Sequence, residues 1–420
     1  MIFSAVKKRL VQQQNEITMK NQDINKDDNG NERDALYEAD SINEAISFIV
    51  PEGVSCINRD DIPNRSSIEY IQLPESLIEI GEGAFENCNN LKEISIPNSV
   101  SKVGKRAFSR TYSLEKFNWS PVSLIEIGEE AFCEFNNLEA ISIPNTVVKI
   151  GKEAFKGCHN LVSVKVPDSV LTIDDEAFAE CEELRTVNIP ESVTSIGDGA
   201  FDRCYSLKTI NIPRSLSVIN ESTFSNCWSL KIEEIPDTIN VIREAAFWGC
   251  RSIETIPLPE SIVEIGNEAF TDCSSLIEIT IPNSVKSIGK YTFCNCISLK
   301  SVSLSNSLSE IGEDVFRNCI SLKSVFIYDQ VKSIGSRAFL GCASLKEVRI
   351  PNSVTKIGDG AFAGCYSLKQ IKLPDSLTSI GRFAFYGCTS LEAIIVPNGA
   401  RDRFEYMLMN NTTAEIINEA

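Results

Sequence analysis

Residues 74–96 read PESLIEIGEGAFENCNNLKEISI, and residues 351–373 read PNSVTKIGDGAFAGCYSLKQIKL. The same unit recurs between them in steps of 23 residues, with one step of 24 where Ser120 is inserted. Prolines keep the phase at 51, 74, 97, 121, 144, 167, 190, 213, 236, 259, 282, 351, 374 and 397, and Ser305 and Tyr328 fill the two empty slots. A fixed period of roughly 20–50 residues is the signature of a solenoid, in which no coil buries its apolar face alone and each stacks on the next. Counted from the proline, the unit is P-x-S-[VL]-x-x-I-G-x-x-A-F-x-x-C-x-S-L-x-x-I-x-I, here numbered positions 1 to 23.

Each recurring residue has a physical task. Positions 21 and 23, such as Ile94 and Ile96, alternate with polar neighbours as a half-buried strand does. Equivalent strands in successive coils pair in parallel about 4.8 Å apart. The proline ends the strand because it has no N–H for the ladder. The serine at position 3, such as Ser76, can bond the turning backbone. Positions 4 and 7, such as Leu77 and Ile80, cross the core on the opposite side. The glycine at position 8 is expected to permit a tight bend, with Asp174, Asn220 and Arg243 in its place in three coils. Phenylalanine holds position 12 in fourteen successive coils, from Phe85 to Phe385, and should stack into an internal spine.

Composition narrows the function. Of 420 residues, 43% are hydrophobic and 23% charged, as in a soluble folded chain. A net charge of −18 repels phosphate backbones and argues against a nucleic-acid binder. The single histidine, His159, excludes every site that needs two. No apolar run approaches the ~18 residues of a membrane span. In the opening MIFSAVKKRL the basic residues follow the apolar ones, the reverse of a secretory leader. There is no P-loop, no G-x-G-x-x-G after a strand and no G-x-S-x-G.

The unit resembles the BspA-type leucine-rich repeat, whose pattern is IGxxAFxxCxxLxxIxIPxSV. The resemblance covers residues 51–397. It implies a leucine-rich-repeat solenoid, a curved right-handed coil with a concave parallel β-sheet, here of about 14–15 repeats. It also implies a binding module rather than an enzyme, with no cofactor, among surface or secreted proteins that adhere to matrix proteins or cells.

The ends depart from the unit. Residues 1–42 read as a disordered polar tail, and residues 43–73 as a degenerate N-terminal capping coil with Ile57 and Ile62 in the core slots. Regular repeats fill 74–397. Residues 398–420 read as a C-terminal cap, a short helix over 401–409 followed by a strand over 415–418, with Phe404, Tyr406 and Leu408 covering the last coil. Capped ends oppose open-ended stacking, so a monomer is expected.

Twelve of the fifteen cysteines fall on position 15, where Thr111 and Phe135 also occur. A packing site tolerates such exchanges and a ligand set does not, so the column reads as buried thiols acting as small hydrophobes. Cys294 and Cys296 form a lone C-x-C without a second pair, a weak zinc signal. Cys158 and His159 are adjacent, which rarely aims two side chains at one point.

The candidate site is a basic stripe. Positions 19, 20 and 22 point outward from the strand, and position 19 carries Lys300, Lys323, Lys346 and Lys369 in four consecutive coils. Arg349 and Lys372 at position 22 extend the column, and Phe326 sits among them. On so acidic a chain the stripe is a docking surface for an acidic protein or an anionic glycan. Two settings stay open: a cell-surface adhesin, as the resemblance implies, and an intracellular scaffold, as the unpaired thiols and the absent leader suggest.

Overall fold

The computed structural model describes residues 47–119, 121–408 and 412–419. The expected tail over 1–42 lies outside them.

Each coil has three sides. One side is a strand of two to four residues at positions 20–23, as in Glu93–Ile96 and Glu347–Arg349. The second is a two-residue strand at positions 6 and 7, as in Glu79–Ile80 and Lys356–Ile357. Equivalent strands pair in parallel one coil apart, for example Ser163↔Thr186 on the first side and Lys149↔Thr172 on the second. The third side, positions 9–14, forms no strand yet has its own ladder. Glu153, Phe155 and Gly157 donate their N–H groups to the carbonyls of Asp175, Ala177 and Ala179 in the next coil, at 2.8–2.9 Å. Main chain therefore bonds main chain on all three sides, which satisfies the buried polar backbone without helices.

About sixteen turns stack this way, from Ser47–Ile49 to Glu415–Asn418. The expected 14–15 falls short because the worn first coil and the closing strand each add a rung. Ile57 and Ile62 of the first coil are buried in the common core. At the other end helix α1, Arg401–Leu408, buries Phe404 and Leu408. Tyr406 is a correction to the expected cap: its side chain is 78% exposed and covers nothing.

The interior is the expected phenylalanine spine. All thirteen successive pairs from Phe85 to Phe385 are stacked, with ring centroids 5.1–5.9 Å apart. Serine at position 3 bonds across coils rather than within its own turn. Ser99, Ser169 and Ser353 donate to the carbonyls of Leu77, Val147 and Val331 in the preceding coil, at 2.6–2.7 Å. Where Ser305 replaces the proline, its hydroxyl takes over a bond of this kind, to Val285 O at 2.7 Å.

Glycine at position 8 does not serve as a left-handed bend. In the regular coils the positive φ values occur at positions 10 and 14, on residues as varied as Arg106 (φ 56°), Tyr291 (φ 58°) and Asn318 (φ 58°), and in the two end coils also at position 3, Gly53 and Gly399. Position 8 needs glycine for closeness instead. A Cβ on Gly289 would lie 2.3 Å from the amide nitrogen of Asn267 in the coil before.

The longer-strand side is interrupted twice, giving sheets of four, four and seven strands. The first interruption follows Lys116–Trp119, at the 24-residue step. Phe117 fills that step among Trp119, Phe132 and Phe135, with its ring centroid 5.4–5.6 Å from theirs. The second lies between Thr209–Ile210 and Glu278–Thr280, across two coils that form no strand on this side. Its cause is local. Residues 231–235 read KIEEI, which puts Ile232 rather than residue 233 into the core, so the alternation slips by one. In the next coil Pro257 occupies position 22 and removes a ladder donor.

Candidate partner-binding face

Lys300, Lys323, Lys346 and Lys369 precede four neighbouring strands of the seven-stranded sheet, Ser301–Ser303, Ser324–Phe326, Glu347–Arg349 and Gln370–Lys372. Backbone bonds hold the stack: Lys323 N donates to Lys300 O at 3.2 Å, and Lys346 N to Lys323 O at 3.0 Å. All four side chains are exposed, and among the described residues none makes an ion pair. Four ammonium groups therefore rise in a row about 4.8 Å apart at their backbones.

The position-22 residues stand differently. Phe326, Arg349 and Lys372 are Cα partners across adjacent strands. Phe326 is 53% exposed, and the Arg349 guanidinium lies 5.9 Å from its ring centroid, within reach of a cation–π contact. Arg349 also meets Asp329 at 3.3 Å, and Lys372 is bonded to Glu419. The stripe is thus a column of four unpaired lysines flanked by one aromatic and two cations already matched by carboxylates.

The cysteine column has a role that spacing alone hides. From Cys158 to Cys388, each position-15 thiol donates to the carbonyl of the phenylalanine one coil earlier, at 3.1–3.3 Å. Thr111 differs, its hydroxyl donating within its own coil to Phe108 O at 2.6 Å. Cysteine is small enough for the core and still offers a donor. Burial pushes the Cys88 thiol up to about 12, with Arg65 pulling the other way, and Cys388 up to about 11. An unfolded thiol loses its proton near 9.0. Between pH 9 and 12 the folded chain therefore holds protons that the unfolded chain releases. Stability from these groups is complete below pH 9 and lost as pH climbs through that window. The melting temperature is expected to fall steeply from pH 9 to pH 11. A Cys250→Ala, Cys273→Ala double variant should show a shallower fall, and an identical slope would contradict this cause.

Other sequence candidates do not assemble. The Cys158 thiol is buried on Phe132 O, whereas His159 Nδ1 lies 3.2 Å from Glu180 O and 3.6 Å from Glu182. The Cys296 thiol is bonded to Phe270 O, and among the described residues no group of three His, Cys, Asp or Glu could hold a metal ion. No helix among the described residues is long and apolar enough to cross a membrane.

The second sheet interruption has two signals in the sequence that the 23-residue period conceals: Pro257 lies outside the phase of the other prolines, and KIEEI breaks the alternation.

A BspA type leucine rich repeat region model matches residues 57–182, 125–253, 218–346 and 332–419. Among solved structures, a leucine-rich repeat protein from Bacteroides ovatus is 28% identical, with a TM-score of 0.65 over 92% of this chain and 100% of that one. The pneumococcal vaccine antigen PcpA is 24% identical, with a TM-score of 0.50 over 79% of this chain and 80% of that one. A leucine rich cell surface protein from Faecalibacterium prausnitzii is 26% identical, with a TM-score of 0.45 over 88% of this chain and 91% of that one. No curated protein matches the chain. The 23-residue coil, the phenylalanine spine and the matched span of 57–419 agree, and the chain belongs to the BspA-type leucine-rich repeat family.

Proposed function

We propose that the protein is a non-catalytic interaction module whose lysine column binds an acidic protein or an anionic glycan. One observation carries this reading: four exposed, stacked lysines without ion-pair partners among the described residues, on a chain of net charge −18. Stacked like charges repel, and an anionic partner relieves that repulsion while gaining specificity from the fixed spacing. Phe326 adds an exposed apolar surface beside the column.

The reading is tested with the variant Lys323→Glu, Lys346→Glu, Lys369→Glu against two probes, heparin and a poly-glutamate peptide, at about 150 mM salt. Affinity should fall at least tenfold while the melting temperature stays within about 2 °C. Unchanged affinity removes the column from consideration.

The family supports a surface adhesin. The fifteen free thiols support the second setting, a scaffold in a reducing compartment. Protease shaving of intact source cells separates them. Repeat peptides released from intact cells place the protein outside, and protection until lysis places it inside.

A further inference from the structure

The second sheet interruption opens a groove of about 960 Å³ on the longer-strand side. This lies within the range of roughly 300–1,000 Å³ typical of ligand sites. Three features give it a chemical character of its own.

The first is unused main chain. Among the described residues, no backbone N–H of 232–235 or of 255, 256 and 258 donates to another backbone group. On either side the sheets end against these coils, which keep one bond to each, from Lys231 N to Lys208 O and from Ile277 N to Glu254 O at 2.9 Å. The strand Thr209–Ile210 pairs only with Thr186–Asn188, and Glu278–Thr280 only with Ser301–Ser303. Within the paired sheets these groups are consumed by the neighbouring coil. Here they have no backbone acceptor among the described residues, as the edge of a strand has none before another chain pairs with it.

The second feature is charge. Lys231, Glu233, Glu254 and Glu278 line the groove, giving it a net negative wall. Among the described residues none of these three carboxylates makes an ion pair, although Glu234 beside them is engaged by Arg214 at 2.5 Å. The third feature is that the interruption is built by sequence. The one-residue slip at Ile232 and the missing donor at Pro257 fall in consecutive coils, so neither coil can repair the ladder for the other.

We infer that this groove binds an extended basic segment of a partner protein, held by main-chain hydrogen bonds to the interrupted coils and by its cationic side chains on Glu233, Glu254 and Glu278. Strand addition of this kind takes affinity from main-chain pairing and specificity from alternate side chains. The site is separate from the lysine column and prefers the opposite charge, so the two readings stand or fall independently.

The test uses the full chain and a defined probe, the peptide acetyl-Arg-Val-Lys-Val-Arg-Val-Lys-Val-amide, with anisotropy read at about 150 mM salt. Three comparisons decide the outcome. A peptide of the same sequence with alternate amides N-methylated keeps the charge and loses the pairing, and should bind at least tenfold more weakly. The variant Glu233→Gln, Glu254→Gln, Glu278→Gln should also lose at least tenfold, whereas the Lys323→Glu, Lys346→Glu, Lys369→Glu variant should bind as well as the unaltered chain. Hydrogen exchange should slow on adding the peptide at 232–235 and 255–258.

Equal binding by the N-methylated peptide would overturn the pairing. Full binding by the glutamine variant, or tighter binding of the glutamate counterpart of the peptide, would overturn the charge assignment. A chain that sediments as a dimer, and as a monomer after Glu254→Arg, would assign the groove to a second copy instead. Absence of any binding would overturn the proposal as a whole.

Discussion

Phe270→Ala is expected to cost about 3–5 kcal/mol, the range for deleting a fully buried aromatic. Phe270 is 0% exposed and stacks on two rings, Phe247 at 5.4 Å and Phe293 at 5.6 Å, with interplanar angles of 3°. Truncation leaves a ring-sized void in a column that no side chain from outside can reach. The column is continuous, so collapse would have to pull two coils together against their backbone ladders. In a solenoid the loss is also local, because each coil contacts only its neighbours. The urea transition should therefore split, with the coils around 259–281 exchanging amide protons earlier than the rest. Phe85→Ala is the internal comparison. Phe85 has one spine neighbour, Phe108 at 5.1 Å, and should cost visibly less. A loss below about 1 kcal/mol at Phe270 would contradict the spine as a source of stability.

The spine and the coil were legible because they repeat at one phase. Phenylalanine at position 12 and proline at position 1 recur 23 residues apart, and period alone stacks them. The third ladder was not legible. Its left-handed positions 10 and 14 carry Arg106, Glu130, Ala245, Tyr291 and Phe383 as readily as glycine. Their N–H groups donate to the next coil, as from Arg106 to Glu129 O and from Ala245 to Asn267 O at 2.9 Å, and this holds the residues where intrinsic preference would not. The thiol bonds were hidden for a related reason: cysteine in a core slot reads as a hydrophobe, and its partner is a backbone carbonyl in another coil. The lysine column was visible as a pattern. What the pattern lacked was pairing, which leaves Lys300, Lys323, Lys346 and Lys369 without ion pairs among the described residues while Asp329 and Glu419 engage Arg349 and Lys372. The groove was written in KIEEI and Pro257, but it emerges only when the alternation is followed coil by coil.

Glycine at position 8 and the residues at position 10 make opposite demands, and a pair of substitutions separates them. Gly289→Ala should destabilise by about 3 kcal/mol, the upper part of the usual overpacking range. Its new methyl would meet Asn267 N at 2.3 Å, Gly266 C at 2.4 Å and Asn267 Cα at 2.6 Å. These are backbone atoms of the preceding coil and cannot rotate away. Relief requires the coils to part, which stretches the bond from Gly289 N to Ile265 O, now 2.9 Å. Where position 8 is not glycine the coil adjusts: at Asn220 the side-chain amide donates to Ile196 O at 2.6 Å, whereas the strands before Asp174 and Arg243 stay paired on both sides. Ala245→Gly should act in the other direction. Ala245 sits at φ 52°, where a side chain costs about 1–2 kcal/mol and glycine costs nothing sterically. Glycine's greater freedom in the unfolded chain returns roughly 0.5–1 kcal/mol of that gain, so the expected change runs from neutral to about 1.5 kcal/mol stabilising. Both variants keep the same core residues and surface charge, so midpoints in urea compare them directly. If Gly289→Ala proves neutral, close stacking of the coils is not what selects the glycine at position 8; if Ala245→Gly destabilises by more than glycine's unfolded-state freedom accounts for, the φ of 52° at position 10 carries no steric cost.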